Sequence, residues 1–347
     1  MSESGSERDR ATDLFDWNEV NRRGRFLPKN ASFFDETLRD GLQNPSVVDP
    51  SVEEKIGIVQ RMDGIGIHGA AIGFPGSSPR AFEDCLRICK ELGGAKLKLR
   101  IACSGRTAVS DITPIVELSQ RVGFAIDVYA FIGSSPIRQY AEGWDVALIA
   151  KRSAEAIDVA VKAGLRVTYV TEDTTRSRPD VLRTLFRSAI DHGASRLCLS
   201  DTVGHATPDG VRNLLQFTKN ILLEAGHEDI GIDWHGHNDR GLALENALWA
   251  FEFGADRVHG TGLGIGERVG NVPMELLLLN LKLLGQLDDE PDLANLLDYS
   301  EAVAKALHWE IPANYPLVRT PSGVHASAVV KSMVNGEGWL VDRTRRA

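Results

Sequence analysis

Apolar and β-branched residues gather in eight short runs, at 33–38, 68–74, 97–103, 125–132, 166–171, 196–200, 231–237 and 256–262. Each has a length that suits a strand. Between them apolar positions recur with helical spacing, over 52–62, 79–92, 146–163, 179–192, 208–224 and 241–253,. Strand and helix therefore alternate. A glycine closes the segment before many of the strands, as at Gly64 with Gly66, Gly93 with Gly94, Gly123, Gly164, Gly193, Gly226 and Gly254,. Eight such units over about 250 residues have the size and rhythm of an α/β protein of the (β/α)8 TIM barrel type. An open doubly wound sheet is the structural alternative.

The pattern stops at both ends. Residues 1–30 are polar and lack sustained periodicity, which predicts an N-terminal arm ahead of a barrel domain at 31–286,. An acidic linker at 287–292 leads into helical stretches at 293–307 and 326–334, so 287–347 is expected to form a small helical subdomain,.

Composition narrows the class. Of 347 residues, 43% are hydrophobic and 25% charged, which supports a substantial core and excludes disorder over most of the length,. Lys and Arg number 39 against 48 Asp and Glu, and the net charge of -9 argues against nucleic acid or an anionic membrane as the main partner,. The four cysteines have no zinc or redox spacing and read as reduced thiols of a cytoplasmic protein,. Neither an apolar leader core nor a run of about 18 apolar residues is present, so export and membrane insertion are not expected,.

In a barrel the active site assembles where the strands end. Four runs end in reactive residues: Asp35 to Gly41, Thr171 to Arg176, Ser200 to Gly204, and His235 to Asp239. His235 and His237 are two apart, so on a strand both imidazoles point to one face and can meet one cation,. Oxygen ligands from Asp40 and Asn271 would complete a mixed N/O site for a divalent ion acting as a Lewis acid. The plain alternative is two imidazoles in a polar cavity. Arg39, beside Asp40, is a fixed planar cation placed to stabilise developing oxygen charge, with a salt bridge to Glu172 or Asp35 as its structural alternative,. The glycine run at 260–270 matches no nucleotide-binding spacing,.

Five motifs point further: DETLRDGLQNP at 35–45, TEDTTRS at 171–177, SDTVGHATP at 200–208, HGHNDRGLALENAL at 235–248 and GLGIGERVGN at 262–271. In this order they resemble the metal-dependent barrel superfamily of 2-isopropylmalate, homocitrate and citramalate synthases and hydroxymethylglutaryl-CoA lyase. The resemblance implies a divalent metal (Mg, Mn or Zn) on Asp40, His235, His237 and Asn271. Arg39 would polarise the substrate carbonyl, Thr202 would bind the carboxylate of a 2-oxo acid, Gln43 would line the substrate site, and Glu172 would lie near the acetyl group of acetyl-CoA. His325, in SGVHASAVVK, resembles the histidine that condensing enzymes take from a neighbouring subunit, which implies a homodimer. Arg138 stands where homocitrate synthases have an arginine for a distal carboxylate, and Arg100 is a second candidate cation for that pocket. The apolar-acceptor branch is resembled at 73–84, so the acid itself stays unnamed. The implied reaction is a Claisen condensation of acetyl-CoA with a 2-oxo acid. RDGLQ is the lyase form of the first motif, which leaves carbon–carbon cleavage as the alternative; an inactive barrel serving as a binding subunit is a third reading.

Overall fold

The computed structural model describes residues 17, 20, 24–93, 97–287 and 293–316. Parallel strands β1 (Ser32–Asp35), β2 (Gly69–Ala71), β3 (Arg100–Arg106), β4 (Asp127–Gly133), β5 (Val167–Glu172), β6 (Arg196–Asp201), β7 (Gly231–Gly236) and β8 (Arg257–Gly260) close into a barrel in chain order. The seam is formed by β8 on β1, with Phe34 opposite His259 and Asp35 opposite Gly260. The alternating pattern therefore yields a TIM barrel, and the doubly wound alternative falls away. Outside the strands lie α1 (Val52–Gly64), α2 (Pro79–Gly93), α3 (Val109–Val122), α4 (Pro136–Glu142), α5 (Val146–Lys162), α6 (Pro179–Asp191), α7 (Pro208–Ala225), α8 (Ala243–Glu252) and α9 (Met274–Leu283), followed by α10 (Leu296–Ala306).

Local chemistry sets the helix starts. Ser51 and Glu54 form a reciprocal capping box on α1, and the Ser135, Asp145 and Thr207 side chains cap α4, α5 and α7,. Helices α3, α4 and α9 fall outside the helical segments read from the sequence. In α3, Pro114 removes an internal N–H, so helical spacing alone did not mark the segment,. The first strand is also shorter than its apolar run. After Asp35 the backbone N–H of Thr37 turns back onto the Asp35 carboxylate at 2.8 Å, and the N–H of Gly41 bonds the Glu36 carbonyl at 3.0 Å,.

Strand alternation decides which side chains meet which core. On β6 and β7, Leu197, Leu199, Ile232 and Trp234 enter the large hydrophobic layer under the helices. Their neighbours Cys198, Ser200 and His235 face the cavity at the barrel mouth. The interior apolar plug is small, made of Phe34, Ala71, Ala102 and Tyr129 with Val170 against it. Around it runs a buried ionic set: Arg196 on Asp233 at 2.5 Å, His259 on Asp233 at 3.1 Å, and Arg257 on the Tyr129 hydroxyl at 2.7 Å. Buried charges are tolerated here because each has a partner. All four cysteines are buried and free, and no helix among the described residues is long and apolar enough to cross a membrane.

Beyond the barrel, α10 lies against α1 and the Gly262–Gly264 turn. Its Tyr299 hydroxyl donates to Asp35 at 2.5 Å, and Tyr315 donates to Glu275 at the start of α9. Burial pushes the Asp35 carboxyl up to about 6 and the Glu275 carboxyl up to about 7,. Between its ordinary value near 4.5 and about 7, Glu275 binds more proton in the folded than in the unfolded chain, so its contribution to stability falls as pH rises through that window,. Glu275→Gln keeps an acceptor for the Leu263 N–H and should remove up to about 3 kcal/mol of the stability difference between pH 4.5 and 7.5. Urea melts at the two pH values read this directly, and an unchanged difference would remove Glu275 as its source.

Candidate active site

The strand ends surround a cavity of about 290 Å3 at the C-terminal mouth of the barrel. Its walls include Arg39, Asp40 and Gln43 from the turn after β1, Arg138 from α4, and Glu172 from the end of β5. Thr202 follows β6, while His235 and His237 come from the end of β7.

Asp40 lies at the centre of the polar cluster. One carboxylate oxygen is 3.4 Å from His235 Nε2 and 3.5 Å from His237 Nε2, and it accepts a hydrogen bond from Asn271 Nδ2 at 2.7 Å. The other oxygen is 3.3 Å from an Arg39 nitrogen. The two imidazole Nε2 atoms are 3.2 Å apart. Burial opposes the charge on Asp40, but Arg39 and the two imidazoles outweigh it and hold the carboxyl well below the usual range,. Burial pushes His237 down to about 3, so this ring is neutral at physiological pH with a lone pair to offer,.

Asn271 is brought in by the glycine-rich turn. His237 and Asn271 form an isolated antiparallel bridge, and the Asn238 N–H bonds the Gly270 carbonyl at 2.9 Å. A Cβ at Gly266 would collide with the Asn271 amide, so glycine is what lets the loop fold over it,. Asn271 Oδ1 and His237 Nδ1 are buried without a partner. An orphaned amide oxygen beside a carboxylate and two facing imidazole nitrogens is a donor set suited to a divalent cation.

Arg39 is clamped from the other side. Its Nε bonds Glu36 at 2.7 Å, and Glu36 in turn lies 3.3 Å from His259 Nδ1. Burial works against Glu36, yet Arg39 and His259 draw its carboxyl down to about 2,. Asp233 and Glu36 raise the pKa of His259 despite its burial.

The sequence pattern of the HMGL-like family matches residues 30–303. The chain belongs to that family. It is 32% identical over 322 residues to the 2-isopropylmalate synthase of Pyrococcus furiosus, which takes in 92% of this chain and 62% of that protein. It is 30% identical over 329 residues to the homocitrate synthase AksA of Methanothermobacter thermautotrophicus, covering 90% and 78% respectively. The hydroxymethylglutaryl-CoA lyase structure from Pseudomonas aeruginosa shares the fold, with a TM-score of 0.66 and 18% identity over 88% of this chain and 99% of that one. The chain spans 59% of the length of the probable 2-isopropylmalate synthase of Methanopyrus kandleri, which it matches at 31% identity over 312 residues.

Asp40, His235, His237 and Asn271 converge, with Arg39 on Asp40; Arg39 pairs with Glu36 and Asp40 rather than with Glu172 or Asp35. Gln43, Arg138, Glu172 and Thr202 line the same cavity. Arg138 Nε is 3.3 Å from Glu172 and its terminal nitrogen 3.2 Å from Glu142. Burial raises the pKa of Glu172, with Arg138 opposing and Asp173, Glu267 and Glu142 reinforcing the rise. The Thr202 hydroxyl accepts the Asp173 N–H at 2.8 Å.

Arg100 is a correction. It opens β3, where it bonds Asp127 at 2.5 and 2.7 Å, while the cavity is lined by Ser104 four residues further along. At roughly 3.3 Å per residue this places Arg100 about 13 Å below the mouth, on the right face at the wrong height. His325 lies outside the described residues. Sequence reasoning missed Glu36, Ser104, Tyr129, Glu267 and His259, all at the cavity. Strand alternation offered a signal for His259, an inward position two residues after Arg257.

Proposed function

We propose that this protein is a metal-dependent acyltransferase that condenses acetyl-CoA with a 2-oxo acid and releases CoA by thioester hydrolysis. The observation that carries this reading is the placement of Asp40 between Arg39 and the His235, His237 and Asn271 donors, with Arg39, Asp40 and both histidines lining one cavity. A divalent cation held by Asp40, His235, His237 and Asn271 would supply Lewis acidity toward the acceptor ketone. Arg39 is held by Glu36 and Asp40, so its fork is oriented before substrate arrives and can carry charge developing on the ketone oxygen,. Thr202 holds the acceptor carboxylate. Glu172, its carboxyl lifted by burial, faces the donor acetyl group, and His325 from a second copy completes the proton transfer,.

In this reaction a base takes a methyl proton from acetyl-CoA, the methyl carbon bonds to the ketone carbon, and the ketone oxygen ends protonated. Water then cleaves the thioester to a carboxylate and free CoA thiol.

The acceptor carries a second anionic group, which Arg138 receives. Its pairs with Glu142 and Glu172 are both partly exposed and worth under about 1 kcal/mol each, so they yield to a substrate carboxylate,. The test is thiol release from acetyl-CoA with Mg2+ or Mn2+, across 2-oxoisovalerate, pyruvate, oxaloacetate and 2-oxoglutarate. Release with a dicarboxylate is expected, and Arg138→Leu should raise its KM about tenfold or more while barely moving that of an apolar acid. Equal effects on both would discard the Arg138 pocket. Silence across the panel with metal bound, together with cleavage of a hydroxyacyl-CoA, would replace condensation by lysis.

A further inference from the structure

Four non-glycine residues among those described have a left-handed backbone: Asp173, Leu263, Arg268 and His308. The first three stand on strand-end loops at the barrel mouth. Such a conformation crowds any side chain, and it persists only where surrounding contacts hold it. At Arg268, with φ of +54°, the Gly270 N–H closes a turn onto the Glu267 carbonyl at 2.9 Å, and the guanidinium adds contacts of its own.

That guanidinium reaches three successive loops. It bonds both Asp239 oxygens, at 2.7 and 3.0 Å, in the loop after β7. It donates to the Thr202 carbonyl in the loop after β6, and to Glu267 at 3.1 Å in its own loop. The loops after β6 and β7 already touch through their backbones: a Cβ at Gly204 would stand 2.6 Å from the Asp239 nitrogen and 2.8 Å from the His237 carbonyl. Arginine has five donors in a rigid fork and can satisfy a carboxylate and a carbonyl together, which a lysine point charge cannot.

We propose that Arg268 is a positioning residue whose guanidinium buckles the loops after β6, β7 and β8 into one unit, fixing where Thr202, His237 and Asn271 stand. This deepens the reading above, on which its metal readout rests; its loop readout does not. Arg268→Gly is the decisive variant, because glycine adopts the same φ without strain and so removes the fork while leaving the backbone permitted. Hydrogen exchange of the metal-free protein should become about tenfold faster in 201–205 and 236–241 as well as in 262–271, with the urea midpoint unchanged or higher. The affinity for Mn2+, followed by electron paramagnetic resonance, should fall about 10- to 100-fold, as for other residues that orient metal ligands. Arg268→Lys should not restore either. Faster exchange confined to 262–271, or an unaltered Mn2+ affinity, would overturn the proposal. If the unaltered protein binds no Mn2+, the metal reading fails, and the exchange pattern still decides the buckle.

Discussion

His235→Ala is expected to abolish metal binding and activity together. His235 Nε2 faces both His237 Nε2 and the Asp40 carboxylate, so its loss removes one of two nitrogen donors from the cluster. Changes to residues that merely orient a ligand cost 10- to 100-fold in metal affinity, so removing a donor should cost at least about 100-fold. Mn2+ titration followed by electron paramagnetic resonance, run beside thiol release from acetyl-CoA, reads both. Asp40 with His235 and His237 is one possible metal cluster, while Glu36 with His235 and His259 is another that shares the same histidine. The second has already engaged its groups: Glu36 bonds Arg39, and His259 Nε2 bonds Asp233 while its Nδ1 lies 3.3 Å from Glu36. His237→Ala should therefore weaken Mn2+ binding as strongly as His235→Ala, whereas His259→Gln should leave it within a few-fold. The reverse pattern would move the metal one layer deeper into the barrel.

The barrel and much of this cluster were legible because both rest on short-range rules. Period-two alternation set Leu197 and Leu199 outward and Cys198 and Ser200 inward, and strand endings placed Asp40 and the histidine pair on one rim. Height along a strand was harder to read. Arg100 shares an inward face with Ser104, and nothing local marked where β3 enters the mouth, so its pairing with Asp127 lower in the barrel went unseen. Contacts across the barrel seam were also hidden. Glu36 and His259 come from opposite ends of the fold and meet only because β8 closes on β1. The left-handed turn at Arg268 has no signature in composition, since arginine is not a residue type that announces positive φ,. Glu172 stands at a strand end that the apolar pattern already marked, Arg138 was reached through the family resemblance, and both line one cavity.

Arg39→Lys should lower kcat by about 10²- to 10³-fold while Mn2+ affinity changes only a few-fold. Lysine keeps the positive charge that Glu36 and Asp40 need. Arg39→Ala would instead leave two buried carboxylates short of a partner, at a cost of about 3 to 5 kcal/mol in stability,. What lysine loses is the planar fork: Arg39 spends Nε on Glu36 and one terminal nitrogen on Asp40, and the remaining N–H groups are oriented by that two-point attachment,. An ammonium tied to the same carboxylates has no such fixed direction. If the fork acts on charge that appears only in the transition state, kcat and kcat/KM fall together and KM for the oxo acid stays near its original value. A rise in KM with kcat preserved would mean that Arg39 binds the carboxylate of the bound acid. Thr202 would then need another role, and the burden of stabilising the ketone oxygen would pass to the Asp40, His235, His237 and Asn271 site alone.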